Sequence, residues 1–124
     1  MIRKSVFDVE AKPFETPGAA NVAMRLMLSE ADGAPNFNLR VFDMQPGGHS
    51  PRHVHPYEHE VFILEGEGEV FVGGEQKPVK ALDAVLIPPS MEHQVLNTSK
   101  ALLRFICLVP QQQNEAKPSP FCCG

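Results

Sequence analysis

The 124-residue chain has the length of one domain, and its 43% hydrophobic and 21% charged residues are typical of a soluble globular protein. A net charge of −4, with no run of Lys or Arg, argues against nucleic acid as a partner. No apolar run approaches the roughly 18 residues of a membrane span, and the charged residues 1–12 do not form a signal-peptide core. We therefore expect a cytoplasmic protein.

Twelve prolines and nine glycines divide the chain into short segments, which is typical of β-strands bounded by turns. No window shows a helical apolar period long enough for a major helix. The sequence thus predicts an all-β antiparallel sandwich or barrel of eight to ten strands. In chain order, the predicted strands are Asn21–Leu28, Phe37–Met44, a strand carrying His53 and His55 and continuing through Val61–Leu64, Glu69–Val72, Lys77–Lys80, Asp83–Ile87, His93–Asn97 and Leu102–Val109.

Local patterns also predict turns, faces and boundaries. Alternation in Phe37–Met44 predicts that Phe37, Leu39 and Val41 share one face. A turn is expected at residues 45–48, a two-residue hairpin at Gly73–Gly74, and pairing of segment 77–80 with segment 83–87. We expect residues 1–34 to form an arm and first strands that belong to the barrel or to a dimer contact, residues 35–110 the core, and residues 111–124 a flexible tail.

Three histidines in the middle of the chain, His53, His55 and His59, form an H-x-H-x-x-x-H array. Side chains at i and i+2 of a strand point to the same face, so His53 and His55 can converge on one point. The Pro56-Tyr57 break lets the chain turn and bring in His59. Imidazole is a common metal ligand, and this spacing favours a metal site over a solvated His-rich turn.

A fourth histidine, His93, completes a resemblance to a known family. The first cupin motif, G-x5-H-x-H-x3,4-E-x6-G, is matched at Gly47, His53, His55 and Gly66. The second, G-x5-P-x-G-x2-H-x3-N, is matched at Pro88, His93 and Asn97. The chain therefore resembles a cupin over residues 35 to 110. The resemblance implies a double-stranded β-helix, or jelly-roll barrel, in a single domain.

The departures from these motifs narrow the resemblance. His59 stands where the glutamate ligand of the first motif is expected from the spacing to Gly66, and the neighbouring Glu60 is the alternative. Leu82 and Ser90 replace the glycines of the second motif, so we expect a turn at Ser90 that does not need positive φ. With His59, the chain is similar to the small tetra-histidine monocupins, some of which bind manganese. That similarity implies a homodimer with one divalent metal per chain, held by His53, His55, His59 and His93.

Four neutral imidazoles would leave a divalent metal its full charge, which favours anionic or chelating substrates. Two remaining coordination positions would suit a small organic substrate beside oxygen or peroxide. We therefore predict a metal-dependent oxidoreductase of the dioxygenase type. Manganese or iron is favoured, and zinc, nickel and copper are alternatives. A non-redox isomerase or lyase, or a ligand-binding or sensory cupin without catalysis, is the alternative function.

Other residues compete for roles near this site. Tyr57, Phe105 and Cys107 are candidates for the substrate pocket, although core packing is the alternative for Phe105. A Cys107 thiol would be open to oxidation in an oxygen-activating site and inert otherwise. Further candidates, each with a plain surface role as its alternative, are Glu58 and Glu60 as hydrogen-bond partners of the ligand rings, Arg40, Arg52 and Arg104 for an anionic substrate, His49 at the metal, and Cys122 and Cys123 as a redox pair.

Overall fold

A computed structural model describes residues 1–112 of the chain. Nine strands dominate it, and the two helical segments are single 3₁₀ turns at Val6–Asp8 and Glu30–Asp32. No helix in residues 1–112 has the length and apolar character that crossing a membrane requires. The strands are β1 (Lys12–Pro13), β2 (Ala20–Leu28), β3 (Phe37–His49), β4 (His59–Glu65), β5 (Glu67–Val72), β6 (Glu75–Lys80), β7 (Ala84–Ile87), β8 (His93–Leu96) and β9 (Leu103–Pro110).

All strand pairs are antiparallel, and the sheet order is β6-β5-β8-β3-β9-β4-β7, with β2 also paired to β3 and β1 to β2. The sheet curls into the predicted jelly-roll barrel. The long β3 joins its halves, because the Phe37–Met44 part pairs with β9 while His49 pairs with Leu96 of β8. The core cluster inside includes Phe42, Ile63 and Phe105.

Strand β4 shows why the interior receives a histidine. His59, Val61 and Ile63 are buried at 0%, 2% and 0% exposure, and Glu60 and Phe62 on the other face are exposed. This is the predicted period-two alternation. The predicted hairpin is also confirmed: Val72 pairs with Glu75, and Gly73 and Gly74 have φ of 57° and 90°, as a tight type I′ turn requires.

Strand β3 corrects two predictions. The turn expected at residues 45–48 does not end the strand: β3 continues to His49, and residues 45–48 form a bulge between the pairs Met44–Val22 and His49–Ala20. The alternation also does not separate a buried from a wetter face: on the face of Phe37 (54% exposed) Val41 is only 3% exposed, and Arg40, Phe42 and Met44 on the other face are 0%, 1% and 0% exposed. Both faces of this strand carry apolar residues, so alternation alone did not identify the inner one.

The predicted pairing of segment 77–80 with segment 83–87 is wrong as well. Strand β6 pairs with β5, whereas β7 pairs with β4 on the other half of the barrel. The short link between them, which includes Leu82, therefore carries the chain from one half to the other. Leu82 N donates to the Ile63 carbonyl oxygen (2.8 Å) and ties the link to β4.

The glycine positions of the second motif give a further correction. Ser90 has φ of 64° and Leu82 has φ of 77°. Both residues thus hold the left-handed conformation that glycine adopts without steric cost. The expectation that the turn at Ser90 does not need positive φ is wrong. The turn has the left-handed backbone conformation of a glycine turn, although Ser90 carries a side chain.

Candidate metal centre

His93, the first residue of β8, lies on the inner face of the barrel and is 1% exposed. Its Nδ1 lies 2.9 Å from the Met91 carbonyl oxygen. A carbonyl only accepts, so Nδ1 must carry the proton and donate it, which leaves a lone pair on Nε2. Among residues 1–112, the buried Nε2 has no hydrogen-bond partner. A buried lone pair of this kind is what a metal ion would satisfy.

His59, the first residue of β4, has the same arrangement. Its Nδ1 lies 3.5 Å from the Cys107 sulfur on the paired strand β9, and its buried Nε2 has no hydrogen-bond partner in the described part of the chain. Burial first, and then the positive charge of Arg40, lower the pKa of His59 to about 2. The ring is therefore neutral at physiological pH, which is the state that binds a metal.

His53 and His55 do not lie on a regular strand as predicted, because residues 50–58 form a loop between β3 and β4. Backbone hydrogen bonds nevertheless fix this loop against β8. His53 N donates to the His93 carbonyl oxygen (3.2 Å), His93 N donates to that of His53 (3.0 Å), and Ser90 N donates to the His55 carbonyl oxygen (2.6 Å). The predicted convergence of the two side chains is present: their Nε2 atoms are 3.2 Å apart.

His55 differs in its electrostatics from a surface histidine. It is 7% exposed. Burial lowers its pKa to about 4, and the neighbouring rings of His53 and His93 and the charge of Arg40 add to the effect. His55 is therefore neutral at physiological pH and available as a ligand.

Three of the four rings converge on one point, and the His59 ring lies beside them. His53, His55 and His93 each offer a nitrogen within 4.8 Å of the other two. The His59 ring centroid lies 4.9 Å from that of His93 and 5.2 Å from that of His55. Two nitrogens bound to one ion at about 2.1 Å would lie about 3.0–3.4 Å apart, and the 3.2 Å between His53 and His55 falls in that range. These residues fit a divalent transition metal.

The glutamates of this region lie outside the cluster. Glu60 points away from the interior on β4, and Glu58 is exposed. A hydrogen bond with Glu60 raises the pKa of Glu58, which shows that the two carboxyl groups interact with each other. Met91 O and Cys107 Sγ, rather than these glutamates, lie at the Nδ1 atoms of His93 and His59.

The three pocket candidates have different positions. Tyr57 is half-buried and stacks on the His55 ring at 5.0 Å with 7° between the ring planes. Phe105 stacks on Phe42 in the core, with centroids 5.4 Å apart. Cys107 contacts His59 but is disulfide-bonded, so neither expectation for its free thiol applies. Cys122 and Cys123 lie outside the described residues.

The arginine candidates and His49 lie at different distances from the histidine cluster. Arg40 is fully buried, and its Nη2 lies 3.2 Å from the same Cys107 sulfur that His59 contacts. Arg52 lies over the Phe71 ring at 3.8 Å. Arg104 is not at the site, because it forms ion pairs with Asp43 and Glu65. His49 is outside the metal-ligating group, with its Nδ1 near the Ser50 carbonyl oxygen.

Sequence reasoning missed the residues that hold the loop and β8 together. Ser50 Oγ accepts a hydrogen bond from Val95 N (2.8 Å), and Gln94 Nε2 donates to the Ser50 carbonyl oxygen (2.9 Å). Asn97 Nδ2 donates to the carbonyl oxygens of Met44 and Ala101, both at 2.8 Å. Of these residues, only Asn97 was marked by the sequence, as the last position of the second motif. Its side chain stabilises the backbone here.

Both the barrel and its histidine cluster define a jelly-roll protein with a candidate metal centre. The family model described as "Cupin domain" (Cupin_2) matches residues 40–109. The chain belongs to this cupin family, as the sequence motifs predicted.

Two relatives found by sequence similarity have different names. The chain is 36% identical over 77 residues to 1-methylthio-D-xylulose 5-phosphate methylsulfurylase of Rhodospirillum rubrum, covering 62% of this chain and 49% of that protein. It is 30% identical over 100 residues to polyketide synthase CurC of Streptomyces cyaneus, covering 79% and 65%. The chain thus spans about half to two thirds of these relatives.

A solved structure gives the same result. The polyketide cyclase RemF from Streptomyces resistomycificus superimposes with a TM-score of 0.83 at 31% identity, covering 89% of this chain and 79% of that one. The relatives are named for different reactions. The chemistry of this chain therefore has to be argued from its own site.

Proposed function

We propose that this chain is a metal-dependent cupin enzyme in which His53, His55, His59 and His93 hold one divalent transition-metal ion beside a small organic substrate. The observation that carries the proposal is the pair of buried Nε2 atoms on His59 and His93, which have no hydrogen-bond partner within the residues that the structure describes. Leaving such atoms unsatisfied costs about 1–3 kcal/mol each. A bound ion would remove that cost at both atoms.

The side chains determine what such a site would accept. All four ligands are neutral imidazoles, so they offset none of the charge of the ion, and Arg40 adds a further positive charge close to His59. An anionic or chelating oxygen substrate suits this electrostatic environment. When bound, a divalent metal supplies Lewis-acid polarisation of substrate oxygens and, if it is manganese or iron, redox chemistry.

The oxidoreductase reading, with oxygen or peroxide as co-substrate, remains our first proposal for the reaction class. It requires no carboxylate base, and the two glutamates available to this loop and strand, Glu58 and Glu60, are both exposed. A non-redox isomerase or lyase is the second candidate. It is supported by two of the relatives, which are named as a polyketide cyclase and a polyketide synthase.

The first experiment measures metal content by elemental analysis in the wild type, in His59→Ala and in Glu60→Ala. Glu60 is the matched control, because it is the adjacent residue and the alternative ligand, and it points outward. We expect about one manganese or iron per chain in the wild type and Glu60→Ala. Loss of one of four ligands should weaken binding by at least tenfold in His59→Ala. Wild-type protein that stays metal-free after reconstitution would contradict the proposal, as would loss in Glu60→Ala alone.

Oxygen uptake then distinguishes the two reaction classes. Manganese-, iron- and zinc-loaded protein would be assayed with small organic acids, diketones and catechols that chelate through two oxygens. The oxidoreductase proposal predicts uptake with a redox-active metal and none with zinc. Turnover by the zinc form without oxygen uptake would support the second candidate instead.

The homodimer also remains a proposal. The outer face of β4 and β7 carries Phe62 at 37% and Leu86 at 59% exposure, and an apolar outer sheet face is better satisfied when it is covered. A molar mass of one chain by light scattering at micromolar concentration would contradict it.

A further inference from the structure

The four candidate ligands are held in different ways. His93 is oriented by its Nδ1 contact to the Met91 carbonyl oxygen, and His59 by its Nδ1 contact to the Cys107 sulfur. Metal-ligating histidines almost always use the second ring nitrogen in this way, because the contact fixes both tautomer and ring orientation. His55 is held differently from these two: within residues 1–112 its ring hydrogen bonds only through Nε2, to His53, and its Nδ1 has no such contact.

An aromatic ring takes the place of that contact. Tyr57 lies face to face with His55, with centroids 5.0 Å apart and 7° between the planes, and its centroid is 5.4 Å from the His59 ring. Tyr57 is itself packed against the core cluster. The ring is therefore anchored on one side and covers the imidazole on the other, so rotation of His55 about χ2 would have to displace a packed side chain.

We propose that Tyr57 is the positioning residue for His55, and that its ring stack substitutes for the missing Nδ1 hydrogen bond in aiming Nε2 at the metal point. The inference rests on the proposed metal site and adds to it a residue that touches a ligand without being one. The aromatic face, and not the hydroxyl, carries this role. An offset aromatic stack changes an equilibrium constant by a factor of about 2 to 12.

The local sequence explains how the stack arises. Pro56 precedes Tyr57 and restricts His55 to extended conformations. The Ser90 N–H fixes the His55 carbonyl oxygen at 2.6 Å, so the backbone on the N-terminal side of the stack is held. On its C-terminal side, His59 begins β4. The backbone is therefore fixed on both sides of Tyr57, and the Tyr57 side chain packs over the His55 ring.

The test compares Co²⁺ affinity, by competition with a chelator, in wild type, Tyr57→Phe, Tyr57→Leu and Phe14→Leu. Tyr57→Phe keeps the stack and should stay within twofold of wild type. Tyr57→Leu keeps an apolar side chain without a ring face and should bind about three- to tenfold more weakly, with an altered visible spectrum of the bound cobalt. Phe14 is the matched control, because its ring packs on Phe42 with centroids 5.2 Å apart and makes no ring contact with a histidine among residues 1–112.

Each other result overturns the inference. Wild-type affinity and spectrum in Tyr57→Leu would show that the stack positions nothing. An equal loss in Tyr57→Phe would assign the effect to the hydroxyl, and an equal loss in Phe14→Leu would assign it to general loosening of the core.

A metal-free readout separates this inference from the proposed function. In the imidazole NMR spectrum of the metal-free protein, the His55 ring protons should show a ring-current shift that persists in Tyr57→Phe and disappears in Tyr57→Leu. If the wild type binds no cobalt, the proposed function fails while this result still decides the inference. A His55 ring that lacks the shift in the wild type would overturn it.

Discussion

The two motif regions of this barrel have the same backbone conformation at their glycine positions but different residues there. The first region keeps glycine at both of its glycine positions, and Gly47 and Gly66 have φ of 79° and 89°. The second has Leu82 and Ser90 at those positions, yet φ is 77° and 64°. The backbone conformation is therefore common to both regions, and the glycines are not. A glycine motif records a conformational requirement that another residue can meet at a cost.

Space around the backbone explains which residues can change. A Cβ at Gly66 would meet the Leu102 carbonyl group, with Leu102 C at 3.1 Å and Leu103 Cα at 3.2 Å. Leu82, by contrast, is 75% exposed. Positive φ alone is thus tolerated with a side chain, whereas positive φ combined with close backbone contact demands glycine.

The histidines show the same division between the regions. The second region supplies one ligand, His93, from a regular strand with a backbone acceptor for its ring. The first supplies His59 from the start of β4 and His53 and His55 from an irregular loop, which depends on hydrogen bonds to β8 for its position. The loop half of the site is therefore built on the strand half.

The largest expected effect is that of Gly66→Ala. Strain at positive φ costs about 1–2 kcal/mol, and overpacking against β9 adds about 1–3 kcal/mol, so we expect a destabilisation of about 3 kcal/mol in urea unfolding. Gly47→Ala is the matched control, because φ is also positive there but no atom lies within 4 Å of the added Cβ. It should cost about 1 kcal/mol. Equal costs for the two variants would contradict the spatial explanation.

Acid should destabilise the metal-free protein through the buried rings. The pKa values of His55 and His59 are lowered to about 4 and about 2, whereas the same groups in the unfolded chain titrate near 6.5. The unfolded state therefore binds more protons below pH 6.5, so stability is fully present above that pH and falls as the pH drops towards 4.

Each such proton contributes about 1.4 kcal/mol per pH unit, so both rings together give a slope of roughly 2–3 kcal/mol per unit between pH 6 and pH 4.5. Unfolding free energies measured by urea titration across this range check the slope. In His59→Gln we expect the slope to fall by about half. The lowered pKa values of Asp32 and Asp43 act below about pH 3.8 and do not enter this window. A flat stability profile from pH 6.5 to 4.5 would contradict the prediction.

Local patterns predicted much of this structure. The period-two alternation of β4 placed His59 inside and Glu60 outside, and the Gly73–Gly74 pair predicted its hairpin. Such features depend on neighbours in sequence, which the pattern contains. The inner face of β3 could not be predicted in this way, because a fully buried arginine, Arg40, shares the interior with Phe42. An inward arginine contradicts the polarity on which the alternation argument relies.

Long-range features were also beyond local patterns. The chain crosses between the barrel halves at Leu82, so β6 and β7 do not pair although they are adjacent in sequence. The Nδ1 atom of His93 contacts a backbone carbonyl oxygen. Because every residue has such an oxygen, the sequence could not predict this contact. The sequence predicted that the histidines meet, whereas the way each ring is held follows only from the folded backbone.

The smallest expected effect is a gain in stability from Leu82→Gly. The exposed leucine side chain loses little packing, and relief of its left-handed conformation returns about 1–2 kcal/mol. The greater freedom of glycine in the unfolded chain takes back about 0.4–1 kcal/mol. A net stabilisation of about 0.5–1 kcal/mol in urea unfolding is therefore expected, and Leu82→Ala, which keeps the strain, should show no gain. If Leu82→Gly is instead destabilising, then the leucine side chain contributes packing that outweighs the strain of its backbone, and the comparison between the two motif regions would rest on side-chain contacts as well as on backbone geometry.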